Sequence, residues 1–181
     1  MPVALSRAAP TLIVNPPHAA AGFDSQHIIY VREPHQLEYY AHNEWVDTPA
    51  RMVAPLIVAA IENSEAFRAV VLTPSSAAGD LRLDTEIVRL QHDLGSHPSH
   101  VRLTMRAYIV DNTTRRVLAW REFDEVVAAQ GEHPYGGVIA ANRAVQAVLE
   151  KLASFCTEAA GSWQSPAAEI QKDTKEKPPG R

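Results

Sequence analysis

The stretch VRLTMRAYIV, residues 101–110, has a period of two in the middle of the chain. Its odd-numbered residues are all apolar, and the even-numbered ones are mostly polar or amphipathic. The apolar set is Val101, Leu103, Met105, Ala107 and Ile109. This alternation is typical of a β-strand with one face on a hydrophobic core. The sequence therefore predicts a sheet that is covered on one side.

Further strands are predicted on both sides of this one. In residues 81–90 the apolar residues occupy odd-numbered positions up to Ile87 and even-numbered positions after it. This change predicts either a bulge near Ile87 or a strand covered on both faces. After the turn residues 111–114, DNTT, another strand is expected from about Arg115 to Ala128. Shorter strands are expected at residues 11–14, 27–31 and 67–72. Residues 27–31 are the expected exposed edge.

Two helices are predicted. Asp47 and Thr48 are candidate N-caps and Pro49 suits the first helical position, while Pro55 predicts a kink or a later start. The second helix is expected to begin after Gly136-Gly137, because apolar residues then recur at spacings of three and four up to residue 155. Its apolar side should face the central strand. The expected contacts join Val145, Val148 and Leu152 to Leu103, Met105 and Ala107.

The order of these elements predicts an α+β fold, with an antiparallel β-sheet and two main helices packed on one face. Residues 1–10 are expected to form an extended leader or linker, and residues 11–160 a single domain. Residues 161–181 contain proline, glycine and alternating charges, with little apolar surface to bury. They are expected to form a disordered tail.

Composition excludes several classes of function. The 181 residues carry 17 Lys and Arg against 21 Asp and Glu, so a nucleic-acid partner is not expected. The longest uncharged apolar run, residues 52–61, has ten residues, whereas a helix needs about 20 to span a bilayer. The single cysteine, Cys156, excludes an intramolecular disulfide and a cysteine zinc cage.

The residues that could carry chemistry favour a binding or structural protein over an enzyme. The chain has neither a phosphate-binding loop of the GxxxxGK[ST] type nor a GxSxG nucleophile elbow. Cys156 continues the apolar side of the second helix, so we expect a buried, inert thiol. We therefore predict no catalytic residue and no cofactor.

Two polar clusters have a catalytic or metal-binding alternative, but an ordinary interpretation is favoured for each. His92, His97 and His100 share one inter-strand segment and could converge on an ion. That segment is rich in turn residues, in which solvated histidines are common, so no metal site is predicted. Glu122 and Asp124 share a strand face, and Glu125 follows them, but acidic residues are ordinary on the wet side of a sheet.

Six residues are candidates for an interaction surface. The segment LEYYAHNEW, residues 37–45, places Tyr39, Tyr40 and Trp45 before the first helix, where large amphipathic aromatics often mark a contact. Alternatively, Trp45 is a hydrophobic staple and the tyrosines close the sheet edge. The other candidates are Tyr135, Gly136 and Gly137. These glycines either let the chain turn into the helix or let a neighbouring backbone approach closely.

Several segments together resemble a known family. They are QHIIYVREPHQLEYYAHNEWVDTPARMVAPL, SEAFRAVV, DLRLDTEIVRLQHD, RRVLAWREF and YGGVIAANRAVQAVLEKLASF. This succession is similar to the auxiliary lipoprotein component of bacterial ABC-type transport systems, the PqiC-like group. The resemblance covers residues 11–155. The tyrosine pair, the segment 45–49 and YGGVIAAN carry most of its specificity.

The resemblance implies a non-enzymatic auxiliary role in envelope lipid or solvent transport. Such proteins are lipid-anchored at the periplasmic face of the outer membrane, and work with an inner-membrane ABC transporter or with MCE-domain proteins. This chain lacks the signal peptide and lipidated cysteine, so we expect a truncated form whose first residues resemble a linker following the anchor. A homo-oligomer and a lipid partner are also expected. The alternative is a small periplasmic ligand-binding domain, which takes a lipid or other apolar molecule between helices and sheet.

Overall fold

The computed structural model describes residues 9–165 and has the predicted α+β class. In chain order, the strands and helices of this region are β1 (Thr11–Val14), β2 (His18–Ala19), β3 (His27–Val31), β4 (Glu38–Glu44), α1 (Pro49–Glu62), β5 (Ala69–Leu72), β6 (Leu81–Asp93), β7 (His100–Asp111), β8 (Val117–Ala128) and α2 (Pro134–Ser162). No helix in residues 9–165 is long and apolar enough to span a membrane.

The sheet is mixed, which corrects the predicted antiparallel sheet. On one side of β6, β7 and then β8 follow in antiparallel order. On its other side, β1, β2 and β3 run parallel to successive parts of β6. β5 then pairs parallel to β1, and β4 pairs antiparallel to β3. Alternation in a sequence indicates which face of a strand is buried but not its direction, so the parallel half was not predictable from it.

The long strands follow their sequence patterns closely. The register between β6 and β7 shifts between Ile87 and Arg89, so the parity change does mark a bulge. β8 begins at Val117, later than predicted, because Arg115 has a φ of 63° and belongs to the turn. The Asp111 carboxylate holds this turn by accepting hydrogen bonds from the amides of Thr113 and Thr114, both at 2.8 Å.

Two strands, β2 and β4, were not predicted from the sequence, and β4 is the one that bears on the candidate residues. Tyr39 and Tyr40 lie in β4, whereas no strand was predicted between residue 31 and the first helix. Because β4 pairs with β3, the predicted exposed edge at residues 27–31 is wrong: β3 lies between β4 and β6. The outer strand on this side is β4.

Both helices have the predicted identity, with different details. α1 begins at Pro49 after the N-cap Thr48 and continues through Pro55, which lies on its exposed side. α2 begins at Pro134, so Gly136 and Gly137 lie inside its first turn and do not precede it, as had been expected. The His133 side chain caps this helix, and its Nδ1 accepts the Gly136 amide at 3.1 Å.

The core lies between one face of the sheet and the two helices. α1 packs on β5 and β2, α2 packs on β7 and β8, and the helices contact each other. Val148 and Leu152 are fully buried with Leu103, Met105 and Ala107, as predicted. Val145 differs, because it is only partly buried and lies at the junction of the two helices.

The two terminal predictions fall mainly outside the described residues. The expected leader, residues 1–10, lies outside them except for its last two residues. The expected disordered tail, residues 161–181, lies outside them from residue 166 onward. Its first two residues belong to α2.

Candidate functional site

A buried histidine connects the tyrosine segment to the rest of the sheet. His92, near the end of β6, is 2% exposed. Its Nδ1 lies 3.2 Å from the Tyr40 hydroxyl, and its Nε2 lies 3.0 Å from the Ser99 hydroxyl. The Ser99 hydroxyl donates its hydrogen to the carbonyl of Gly131 at 3.0 Å, so it accepts from Nε2. Nε2 is therefore protonated, and in the neutral imidazole Nδ1 accepts from the Tyr40 hydroxyl.

The electrostatics of His92 agree with this assignment. Burial lowers the pKa of its imidazole below the ordinary value of 6.5, because a charged ring would lose its hydration. Asp93 and Glu132 raise that pKa by smaller amounts, whereas His100 and His133 lower it. Burial likewise raises the pKa of the Tyr40 phenol. Both groups are therefore held in their neutral forms.

Trp45 and Gly137 complete what we call the His92 cluster: Tyr40, Trp45, His92, Ser99 and Gly137. A Cβ on Gly137 would lie 2.6 Å from His92 Nδ1, so only glycine allows α2 to approach this ring. Trp45, His92 and Gly137 line a pocket of only about 10 Å³. The cluster is therefore a packed junction between β4, β6 and the start of α2.

Gly136 and Gly137 each allow a neighbouring group to approach the helix backbone closely. A Cβ on Gly136 would lie 2.3 Å from the carbonyl oxygen of Gln130, which is the backbone approach that the sequence left as one alternative. At Gly137 the neighbour is the His92 side chain. The chain thus folds back tightly from β8 into α2.

The remaining candidates do not join the cluster. Tyr39 is 56% exposed on β4, where its ring stacks on His27 with centroids 4.1 Å apart. Tyr135 is 71% exposed in the first turn of α2. The structure therefore brings Tyr40, Trp45 and Gly137 together and leaves Tyr39 and Tyr135 at the surface.

Sequence reasoning placed His92 in a polar loop and missed its role in packing. The sequence did contain a signal for this role, because Leu90 and His92 both occupy even-numbered positions after the bulge. Both residues are buried. Once the parity of a strand has shifted, the inward positions shift with it. A histidine at an inward position needs polar partners, which Tyr40 and Ser99 provide.

The other two histidines have separate partners. His97 Nδ1 lies 3.2 Å from a Glu132 oxygen, and His100 Nε2 lies 3.1 Å from an Asp93 oxygen. Within residues 9–165 no group of three His, Cys, Asp or Glu side chains is arranged to hold a metal ion.

The candidate carboxylates all take part in ion pairs. Arg102 and Thr104 hydrogen-bond to Asp124 and lower its pKa to about 2. Glu122 pairs with Arg106 at 2.7 Å, and Glu125 pairs with Lys151 of α2. Each of the three carboxylates thus has a basic partner within the fold.

The thiol of Cys156 is fully buried in α2. Burial raises its pKa to about 12, because the thiolate would lie in an apolar environment. The neutral thiol therefore behaves as a small apolar side chain of the core.

An apolar groove lies on the outer side of the helix pair. It has a volume of about 600 Å³ and is open to solvent between α1 and the middle of α2. Its apolar lining is Leu56, Ala60, Val145, Leu149 and Ala153. We call it the helix groove. Its volume is far larger than that of the pocket within the His92 cluster.

Comparison with solved structures shows that the fold is a known one. Protein XCC0632 from Xanthomonas campestris, described as a DUF330 protein, is similar with a TM-score of 0.77 and 21% identity. The alignment covers 95% of this chain and 91% of that chain. The hypothetical protein CT253 from Chlamydia trachomatis is similar with a TM-score of 0.54 and 10% identity, over 83% of this chain and 96% of that chain. At these identities the similarity shows the fold alone.

Comparison of the sequence with curated proteins finds no match. The family model described as the ABC-type transport auxiliary lipoprotein component matches residues 1–153. This range contains every strand, α1, the His92 cluster and both walls of the helix groove. The chain therefore belongs to the family of ABC-type transport auxiliary lipoprotein components.

Proposed function

We propose that the chain acts without catalysis as the auxiliary component of an ABC-type envelope transport system that moves lipid. In this proposal it is lipid-anchored at the periplasmic face of the outer membrane and works with MCE-domain proteins. The observation that carries the proposal is the family match over residues 1–153. The resemblance of the sequence to the PqiC-like group supports the finer assignment of membrane and partner.

The ion pairs, packing and burial of the potentially reactive side chains support a non-enzymatic role. Glu122 and Asp124 are paired with arginines, His92 is used in packing, and the thiol of Cys156 is buried. A general acid or base must instead exchange its proton in contact with a substrate. These side chains stabilise the fold in their present positions.

Gene deletion and complementation test this function. We expect deletion to weaken the lipid barrier of the outer membrane, measured as growth in detergent, and the wild-type gene to restore it. Variants Glu122→Gln and Asp124→Asn should restore growth as well, because their carboxylates serve only in surface pairs. An intact barrier in the deletion strain would contradict the transport role. Failure of either variant at normal protein levels would contradict the non-catalytic role.

We also propose that copies of the chain associate through strand β4. Among the strands of residues 9–165, β4 pairs with β3 alone, and an unpaired edge is a ready site for a second strand. Tyr39 is exposed beside it, and tyrosine is frequent at interface centres. Tyr40→Ala would also remove the bond to His92, so Tyr39→Ala is the cleaner variant.

Sedimentation velocity measures this association. We expect an oligomer of the wild type that is weakened by Tyr39→Ala and unchanged by Val126→Ala. Val126 is the matched control, since it is equally exposed, at 56%, on β8. A monomeric wild type at micromolar concentration would sink the proposal.

A second candidate function, binding of a lipid or other apolar ligand, is favoured by the helix groove. Its volume of about 600 Å³ is within the usual size of ligand pockets. The groove lies between the helices, whereas the sequence analysis expected a ligand between helices and sheet. Ala153→Trp should fill it and abolish retention of a fluorescent fatty acid. Equal retention by the wild type and this variant would exclude the groove as the ligand site.

A further inference from the structure

The start of β1 and the turn between β7 and β8 lie at the same end of the sheet. Asp80 joins them, because its carboxylate accepts the Thr11 amide at 2.8 Å and its carbonyl accepts the Asn112 amide at 3.0 Å. We define the hairpin tip as residues 113–118, which follow Asn112. Thr11, the first residue of β1, therefore lies close to the hairpin tip.

The hairpin tip and its neighbours combine positive charge with exposed apolar surface. Arg115 and Arg116 are exposed, and within residues 9–165 neither forms an ion pair. Val117, Leu118 and Trp120 are 56%, 49% and 60% exposed.

Most other arginines of the long strands differ from those of the tip, because they form ion pairs. Within the described region, four arginines of the long strands pair with carboxylates: Arg82, Arg102, Arg106 and Arg121. Arg89 of β6 also forms no ion pair within residues 9–165 but is only partly exposed, whereas Arg115 and Arg116 at the tip are adjacent and exposed. Trp120 is held in place there by stacking on Tyr108, with ring centroids 6.3 Å apart.

We infer that the hairpin tip and Trp120 contact an anionic phospholipid bilayer. The guanidinium groups of Arg115 and Arg116 bind lipid phosphates, and Trp120 lies at the level of the headgroups, where amphipathic rings are favoured. Charge complementarity and the position of Thr11, at the same end of the sheet as the tip, both favour this partner. The inference rests on the proposed function, because it takes the family's lipid anchor to lie on the N-terminal side of Thr11.

This contact orients the whole molecule. β6 runs from Leu81 beside the tip to Asp93 beside the His92 cluster, a length of about 40 Å for its 13 residues. With the tip on the membrane, the β4 edge and the His92 cluster lie at the opposite end. They then face the aqueous space from which partner subunits arrive.

Vesicle flotation with the full chain tests the contact. We expect binding to vesicles of phosphatidylcholine mixed with phosphatidylglycerol, weakened by salt, and little binding to phosphatidylcholine alone. Each basic residue near an anionic surface strengthens binding about fivefold, so Arg116→Glu should weaken it by at least that factor. Arg143→Glu is the matched control, because it makes the same charge change at an exposed site in the first half of α2.

Tryptophan emission gives a second readout. The chain has three tryptophans, and Trp45 and Trp163 are partly buried against the core. We expect a blue shift on phosphatidylglycerol vesicles that disappears in Trp120→Phe. Equal binding by the Arg116→Glu and Arg143→Glu proteins would overturn the inference, as would a wild type that fails to bind phosphatidylglycerol vesicles. A blue shift that persists in Trp120→Phe would also overturn it.

Vesicle binding and complementation can fail separately. If the gene restores the barrier but its protein does not bind anionic vesicles, the inferred membrane contact is wrong and the transport role stands. If the protein binds vesicles through the tip but deletion has no effect on the barrier, the transport role is wrong and the contact stands.

Discussion

At position 92 a neutral imidazole fits its surroundings and a charged one does not. Its Nδ1 accepts from Tyr40 and its Nε2 donates to Ser99, an arrangement available only to one neutral tautomer. Protonation would place a positive charge on a ring that is buried, where it would lose its hydration. The protonation state of one side chain is therefore coupled to the junction of β4, β6 and α2.

This coupling predicts a pH dependence of stability. Burial lowers the pKa of His92 in the folded chain, so below its ordinary value of 6.5 the unfolded chain binds a proton that the folded chain resists. The contribution of His92 to the free energy of unfolding should therefore fall as the pH is lowered through 6.5. Urea denaturation between about pH 8 and pH 5 should show the gap between wild type and His92→Gln narrowing.

The matched control for this titration is His42→Gln on the exposed strand β4. Comparison with it separates the effect of burial at position 92 from the general effect of acid on the protein. A gap between wild type and His92→Gln that stays constant with pH would contradict the coupling.

Leu152 tests the core at the residue scale. It is fully buried in α2 with Leu103 and Met105, so Leu152→Ala should lower the free energy of unfolding by about 2–5 kcal/mol. Leu56→Ala is the control on α1, where the side chain is 47% exposed and the expected cost is below about 1 kcal/mol. Chemical denaturation measures both. A loss at Leu152 no larger than that at Leu56 would show that α2 does not pack on the sheet.

At the scale of elements, the entry to α2 depends on the absence of a side chain at Gly137. A Cβ there would meet the His92 ring at 2.6 Å, and that ring is already held by two hydrogen bonds. We expect Gly137→Ala to lower the free energy of unfolding by about 1–3 kcal/mol, the usual cost of overpacking. Thermal unfolding measures the change.

Gly161, near the other end of the same helix, is the matched control. A Cβ there would meet nothing within 4 Å, so Gly161→Ala should raise stability by about 0.5–1 kcal/mol through its better helix propensity. Destabilisation of similar size at both positions would mean that the close approach of α2 to His92 is not what constrains position 137.

Elements with a strong local pattern were predictable, and those defined by distant pairing were not. β1 and β3 have the predicted bounds, and the parity change correctly located the bulge in β6. β4 was missed because none of its residues is fully buried and most are exposed, and the strand exists through pairing with β3. The start of α2 was misplaced because two adjacent glycines normally disfavour a helix. Here the first turn of the helix contains them, because the neighbours of Gly137 leave room only for glycine.

At the scale of the molecule, the candidate site was only partly predictable. Tyr40, Trp45 and Gly137 were singled out by residue type, and they do meet, but through His92, which the sequence placed elsewhere. The helix groove was not predicted, because it depends on how α1 and α2 pack. Val145 is an example. Its spacing along α2 predicted a core position facing the sheet, whereas its side chain lines the groove between the helices.

Proteins of an auxiliary transport family should act through their surfaces, and this chain presents two kinds of surface at opposite ends of β6. The hairpin tip offers charge and exposed apolar side chains. The other end offers the β4 edge above a packed His92 cluster. A strand that docks a partner needs an exposed edge and a fixed position. The packed His92 cluster holds β4 in place.

The most direct test of the central claim is to identify what the full-length protein binds in its own envelope. The protein would be cross-linked in intact cells, purified from membranes and analysed by quantitative mass spectrometry against an untagged strain. We expect specific enrichment of a subunit of an ABC transporter or of an MCE-domain protein, reduced in a variant with a disrupted β4 edge. Recovery of the protein without any transport-system subunit would contradict it.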